Sequence, residues 1–252
     1  MKVTAIIPAR YASTRFPGKP LAEIAGIPMI CHVLDRTRQA KSVDRVIVAT
    51  DDPRILSVVE RFGGEAVMTR DDHPTGTDRL AEVAENLDSE LVVNVQGDEP
   101  LIDPRMIDQA VAPMLADPSL PMGTLKTRIT DPDEFLNPNV VKVVTEVNGC
   151  ARYFSRAPIP YPRDFSADIQ GNFSRFSAYK HIGLYVYRRT FLLGYPTLDE
   201  TPLEKLECLE QLRALEHGFR IHVAETTLAS CGVDTPEDLD KVSKLLAAAQ
   251  EK

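Results

Sequence analysis

The stretch "IIPARYASTRFPGKPL" sets Arg10, Arg15 and Lys19 on one short segment with the hydroxyls of Ser13 and Thr14 and no acid among them. Guanidinium and ammonium groups gathered in this way suit an anion with several phosphate oxygens, since charge-assisted hydrogen bonds are the strong ones. A solvated basic loop is the plainer alternative. The common nucleotide motifs are absent: G-x-G-x-x-G needs three glycines where this segment has Gly18, and in a P-loop the lysine precedes Ser or Thr, whereas Lys19 precedes Pro20. Any phosphate would therefore be gripped by charge rather than by a glycine nest.

Two acids could face that loop. In "LVVNVQGDEPLI" an apolar run passes directly into Gly97 and Asp98, and in "CGVDTPEDL" Asp234 stands between a strand candidate and a helix candidate. A carboxylate beside a phosphate site is a natural ligand for a hard divalent cation such as Mg2+. A turn or helix-cap role is the alternative for each, although Thr235 can cap in place of Asp234. In "HPTGTDRLAEV", Thr77 and Arg79 lie at a helix start, where free N–H groups could meet a phosphate or a base carbonyl. Capping also explains Thr77, but a cation in the first turn opposes the helix dipole, so Arg79 needs another reason. Finally, in "YKHIGLYVYR" strand alternation puts His181, Gly183 and Tyr185 on one face, with Arg163 upstream. That face offers hydrogen bonds to a polyhydroxylated acid, or else His181 is a structural hydrogen-bonder.

The elements that must position these groups alternate over the first hundred residues. Strands are expected at 3–8, 45–50, 65–68 and 91–96, and helices at 28–40, 53–62 and 78–87. This pattern predicts an α/β fold with a Rossmann-like, mostly parallel sheet covered by helices on both faces. Ligands bind such sheets at the carboxyl ends of the strands, where the basic loop and Asp98 would both lie. Beyond about residue 120 strands are expected at 122–128, 140–145, 151–154 and 180–187, with the segment "SRAPIPYPRDFSADIQGNFSRFSAY" as a long loop or projecting arm. Thr201, Pro202 and Glu204 predict the start of one helix whose leucines 203, 206, 209, 212 and 215 run to a stop at Gly218. Thr235, Pro236 and Asp238 predict another helix.

The 252 residues suit a single domain, with a nucleotide half over about 1–120 and a second half over about 121–252. Thirty-seven acids against 29 bases give a net charge of −8, which disfavours nucleic acid as a partner. No apolar run reaches the roughly 18 residues of a membrane helix, and the opening residues do not read as a signal peptide, so the cytoplasm is the expected compartment. Cys31, Cys150, Cys208 and Cys231 are scattered and read as reduced thiols.

With these residues laid out, the chain resembles the CMP-Kdo synthetases, the 3-deoxy-manno-octulosonate cytidylyltransferases of bacterial lipopolysaccharide synthesis. The opening motif is shared in looser form by many sugar nucleotidyltransferases. "TGTDRLAEV", "NVQGDEP", "LNPNVVKVV", "YFSRAPIPY", "KHIGLYVYR", "PLEKLECLEQLRALEHG" and "GVDTPEDL" narrow the match and cover nearly the whole chain in order. The resemblance implies a nucleotide-diphospho-sugar transferase fold with an inserted β-rich dimerisation segment, a homodimer, and a Mg2+-dependent reaction of CTP with Kdo giving CMP-Kdo and pyrophosphate.

It further implies that Arg10, Ser13, Arg15 and Lys19 hold the triphosphate, that Asp98 and Asp234 hold the metal, and that Thr77, Arg79 and Gln96 face ribose and cytosine. Arg163, His181, Tyr185, Glu210 and Gln211 would face Kdo. The anomeric hydroxyl of Kdo would attack the α-phosphate directly, a step that asks for positioning and charge neutralisation more than covalent help from the protein. The rivals are activation of another acid sugar such as 8-amino-Kdo or sialic acid, a hexose-1-phosphate nucleotidyltransferase, and a non-catalytic nucleotide-binding module.

Overall fold

The computed structural model describes residues 2–12, 16–229 and 231–250. The chain folds as two compact units, each assembled from separate stretches of sequence. Unit 1 comprises Met1–Asp108, Tyr187–Pro196 and Ala229–Lys252; unit 2 comprises Gln109–Val186 and Thr197–Leu228. Asp234, although late in the chain, therefore belongs with the N-terminal residues.

Unit 1 begins with β1 (Val3–Ala9), the small hairpin β2 (Glu23–Ile24) and β3 (Ile27–Pro28), and α1 (Met29–Arg38). There follow β4 (Arg45–Thr50), α2 (Pro53–Arg61), β5 (Glu65–Met68), α3 (Gly76–Glu85) and β6 (Leu91–Asn94). The strands form a parallel array in the order β6-β1-β4-β5, with Ile6 opposite both Ile47 and Asn94. β1 is apolar throughout except Thr4, and Val3, Ala5, Ile6, Ile7 and Ala9 are all buried, as a strand covered on both faces requires. Right-handed crossovers put α1 and α2 on one face and α3 on the other. The chain leaves β1 toward β4 but reaches β6 on its opposite side, so the switch point of this sheet lies between β1 and β6.

Helix α4 (Pro104–Ala116) precedes the remaining strands, β7 (Met122–Arg128), β8 (Lys142–Thr145), β9 (Ala151–Ser155), β10 (Tyr179–Arg188) and β11 (Ile221–Glu225). In unit 2, β11 runs parallel to β7, β8 and β9 form an antiparallel hairpin, and β8 meets β10 at Lys142 and Lys180. Helix α5 (Pro132–Leu136) contributes Phe135 to a cluster with Phe173 and Phe176, which packs the 155–179 segment against that helix. Helix α6 (Arg189–Gly194) returns the chain to unit 1.

The leucine-rich segment departs from expectation. Instead of one helix it forms α7 (Pro202–Glu207) and α8 (Gln211–Glu216), parted at Cys208, whose φ of 51° is left-handed. Leucines three residues apart slip by about 60° at each step of an α-helix, so one straight helix could not hold all five on one face. The break buries Leu209 and Leu212 and leaves Leu206 81% exposed. It also lets Arg213 of α8 meet Glu204 of α7 through two hydrogen bonds of 2.9 and 2.6 Å, both residues being buried. The last helix, α9 (Pro236–Gln250), packs Val242 and Leu246 against Ile24, Met29 and Val233. Among the described residues no helix is long and apolar enough to cross a membrane.

Candidate active site

The β1 loop and the β6 loop flank the switch point of unit 1. Gly97, just past β6, crosses so close to the end of β1 that a Cβ there would stand 2.7 Å from the Pro8 carbonyl oxygen. Glycine is what allows Asp98 to follow immediately. The 230s segment is drawn in by a hydrogen bond of 2.8 Å from the Val233 N–H to the Asp98 carbonyl. On the other side, Gly18 takes a left-handed φ of 72° and donates its N–H to the Tyr11 carbonyl, turning the basic loop back so that Lys19 points at these acids.

Lys19 stands at the centre of the cluster. Its Nζ lies 2.7 Å from Asp98 Oδ2, 3.4 Å from Asp234 Oδ1 and 2.8 Å from the Val233 carbonyl oxygen. Two acids and a lysine drawn from three distant parts of the sequence thus share one point. Asp234 does not cap α9; Thr235 and Asp238 do so with reciprocal bonds of 3.2 and 3.0 Å, while the Asp234 carboxylate faces the lysine. Among the described residues the acceptors around the ammonium are two carboxylates and a carbonyl, the oxygen donors a hard divalent cation takes.

Arg10, just past the end of β1, donates to the carbonyl oxygens of His73 and Thr75 at 2.6 and 3.1 Å. It therefore ties the basic loop to the turn before α3. That helix is capped by Thr75 with Asp78, not by Thr77, which is buried inside the first turn. Arg79 is completely buried, and its Nη2 donates to Asp51 Oδ2 at 2.6 Å while Nη1 meets Thr69 Oγ1. This ion pair explains a cation in a first helical turn. Its Nε has no hydrogen-bond partner. Desolvation, and after it repulsion from the Arg79 guanidinium, pushes Arg10 below the ordinary arginine range. Gln96 stands partly exposed beside Gly97. Ser13 and Arg15 lie outside the described residues.

The other five candidates lie in unit 2. His181 and Tyr185 do share a face of β10, their rings 5.3 Å apart, while Leu184 and Val186 are buried on the other. His181 also packs edge-on against Phe154, and its Nε2 is 2.9 Å from Thr124 Oγ1. That hydroxyl lies 2.8 Å from the Leu184 carbonyl, and with its proton committed there it accepts from Nε2–H. Burial pushes the imidazole pKa down to about 3, so His181 is neutral at physiological pH. Glu210 stands at the N-cap position of α8 and Gln211 opens the helix. Gln211 is only 5% exposed, yet its Nε2 has no hydrogen-bond partner. Arg163 is exposed, on a short 3-10 turn of the arm.

Three participants were not singled out in the sequence: Asp51 at Arg79 and Thr124 at His181, which lie outside the quoted motifs, and the Val233 carbonyl at Lys19, which lies inside "CGVDTPEDL". Asp51 does carry a signal, since "VATDDP" is another apolar strand ending in an acid. Backbone oxygens and a lone threonine carry none.

The cytidylyltransferase family model matches residues 4–221. The 3-deoxy-manno-octulosonate cytidylyltransferase of Syntrophotalea carbinolica is 61% identical over 243 residues, covering 96% of this chain and 97% of its own. That of Geobacter metallireducens is 60% identical, covering 99% and 100%. Among solved structures, CMP:2-keto-3-deoxy-manno-octonic acid synthetase complexed with CTP superposes with a TM-score of 0.92 at 46% identity, covering 99% of this chain and 100% of that one. A 4-diphosphocytidyl-2C-methyl-D-erythritol synthase from Anaerococcus prevotii, at 15% identity and a TM-score of 0.64, shares the fold alone. Likeness of this degree over nearly the full length, on a sheet whose switch point gathers Lys19 with Asp98 and Asp234, means that the chain belongs to the cytidylyltransferase family and groups with its 3-deoxy-manno-octulosonate cytidylyltransferases.

Proposed function

We propose that the protein couples CTP to Kdo, giving CMP-Kdo and pyrophosphate. The observation that carries this reading is the Lys19 ammonium held between Asp98 and Asp234 at the switch point. An ammonium already sited at an all-oxygen cluster supports the same residues as the place where triphosphate and cation meet. Asp98 and Asp234 would hold Mg2+, which when bound would neutralise phosphate charge and lower the pKa of a nearby hydroxyl.

The chain's own residues supply the rest. Lys19 moves from the carboxylates to the triphosphate oxygens, Arg10 holds the loop against the start of α3, and Arg15 and Ser13 add donors to the phosphates. Thr77, Arg79 and Gln96 define the ribose and cytosine contacts; Arg79, locked to Asp51, acts chiefly by shaping the first turn of α3. In unit 2, Arg163, His181, Tyr185, Glu210 and Gln211 bind Kdo. The buried Gln211 Nε2 supports this, because a buried polar atom without a hydrogen-bond partner in the protein calls for one from a ligand. The neutral His181 serves as a hydrogen-bonding group and not as a charge. In the reaction the bond from the anomeric oxygen of Kdo to the α-phosphorus forms as the bond from that phosphorus to the pyrophosphate oxygen breaks, and the hydroxyl proton leaves to solvent.

The same reading makes the enzyme a cytoplasmic homodimer. Val147, Tyr161 and Leu206 of unit 2, strongly exposed for apolar or aromatic side chains, support an interface there.

The test is pyrophosphate release with Mg2+ and each of CTP, UTP, GTP and ATP, with and without Kdo. Release with CTP and Kdo together, and with no other nucleotide, is the expected result. Release with CTP and another acid sugar but not Kdo would overturn the choice of sugar, and release with UTP or GTP would overturn the nucleotide.

A further inference from the structure

Three stretches of unit 2 meet at a polar node that none of the assigned roles uses. At its core Lys142, completely buried, gives its ammonium to the carbonyl oxygens of Asn137, Val140 and Arg156 at 2.9, 2.5 and 2.7 Å. Arg156, the first residue after β9, extends the node. Its Nε donates to the Glu207 carbonyl at 2.7 Å, Nη1 to that of Pro138 at 3.1 Å and Nη2 to that of Cys208 at 3.4 Å. Glu207 answers with its carboxylate, which accepts from Ser155 Oγ at 2.6 Å, the Arg156 N–H at 2.9 Å and the Tyr153 hydroxyl at 3.3 Å.

The two sides are reciprocal. Arg156 satisfies the last carbonyls of α7, which no helical N–H reaches, and Glu207 fixes the first peptide of the arm. Together they hold the chain through the left-handed turn at Cys208, after which Leu209, Glu210 and Gln211 follow at once. The node also touches β10: the His181 N–H donates to the Val141 carbonyl at 2.8 Å, and Phe154, two residues before Arg156, packs on the His181 ring. The start of the arm, the backbone under His181, and the turn before Glu210 are thus braced from one place.

We infer that Arg156 and Glu207 are positioning residues for the acid-sugar subsite, setting Glu210, Gln211 and the arm relative to His181 without touching the sugar. The inference rests on the reading of unit 2 as the Kdo-binding part. A carboxylate and a guanidinium on a surface could have been a solvated pair of little consequence. Here they bond to backbone and side chains of three segments, and misplacing a substrate-binding group by an ångström costs up to about a hundredfold in rate.

The experiment is steady-state kinetics of Glu207→Ala, Glu207→Gln and Arg156→Lys in the full-length protein, varying Kdo and CTP separately, with thermal melting of each variant. Glu207→Ala should raise KM for Kdo by about tenfold or more while KM for CTP stays within about twofold. Glu207→Gln should recover part of the loss, since its amide oxygen still accepts. Arg156→Lys, which has no planar fork to reach three carbonyls, should follow Glu207→Ala, and it gives the same readout should that variant fail to fold. KM values for both substrates that move together with the melting temperature, or a KM for Kdo that does not move, would overturn the inference. A wild-type enzyme inactive with Kdo would instead strike down the substrate reading beneath it.

Discussion

Replacing Lys19 by Met tests the arrangement at the switch point most directly, because it removes a charge and keeps the length of the side chain. The Coulomb attractions lost are about 1.5 kcal/mol across 2.7 Å and about 1.2 kcal/mol across 3.4 Å at the dielectric of water. The water value sets the lower end of the loss, since the Asp98 and Asp234 side chains are 35% and 53% exposed while that of Lys19 is 14% exposed. Against this loss stands the rotamer freedom that a pinned lysine gives up and methionine regains. The net cost to folding is then about 1 kcal/mol, a fall of about 2–4 °C in melting temperature for a chain of this size. The effect on cation binding has the opposite sign. With the ammonium gone, the two carboxylates face each other unscreened, and a divalent cation no longer has to displace a resident charge. Recovering about 1.4 kcal/mol of that competition is about a tenfold gain in affinity. Mn2+ titration of the nucleotide-free protein, followed by electron paramagnetic resonance, should therefore show tighter binding in Lys19→Met than in the wild type, while CTP binds more weakly. Mn2+ affinity that is unchanged or lower would refute the reasoning, because it would mean that lysine and cation do not compete for Asp98 and Asp234.

Other perturbations read separate parts of the structure. Gly97→Ala would set a methyl 2.7 Å from the Pro8 carbonyl oxygen, backbone that cannot swing aside, and should cost about 1–3 kcal/mol in chemical denaturation together with weaker CTP binding. Glu204→Gln would leave the buried Arg213 guanidinium without its counter-charge and should cost about 3–5 kcal/mol in the same assay, whereas a surface pair would cost under about 1. For His181 the folded pKa of about 3 lies below the ordinary 6.5, so between those values the unfolded chain binds the extra proton. Stability is full above pH 6.5 and declines as the pH falls below it, by up to about 1.4 kcal/mol per unit. Urea unfolding at about pH 7 and about pH 5 should show that loss in the wild type and a smaller one in His181→Gln.

The parts of the fold that were legible in the sequence are those fixed by neighbours in the chain. β4 and β5 occupy the expected residues because "RVIVAT" and "EAVM" are apolar runs between polar turns, and no tertiary partner is needed to recognise them. The capping motif before α9 was equally plain, since Thr235 and Asp238 satisfy each other within a single turn. Where local rules compete, legibility ends. Thr75 and Thr77 both offer a cap for α3, and the choice of Thr75 depends on Asp78 standing three residues after it. The leucines of 203–215 satisfy a simple apolar count, yet their spacing of three conflicts with the helical period, and a left-handed turn at Cys208 resolves the conflict.

Side-chain commitments are a different kind of information. Nothing in the immediate neighbourhood of Arg79 tells whether its guanidinium faces a ligand or is consumed internally; Asp51, 28 positions away, decides it. Lys19 meets Asp98 across 79 positions and Asp234 across 215, distances over which sequence pattern is silent and only the topology of the sheet speaks. That topology was itself inferable, because a βαβ alternation forces the carboxyl ends of β1 and β6 to one edge. What could not be inferred is that a lysine of the basic loop and the two acids would bind each other. On the proposed reading, the opposite charges placed at this edge to serve a polyanion and a cation are also each other's best partners within the protein. A site built in this way neutralises itself, and binding of a triphosphate there would be an exchange of ion pairs rather than the filling of a charged void. The exchange lowers the electrostatic gain on binding below what the raw charges suggest, and it keeps both halves of the site preorganised at the switch point.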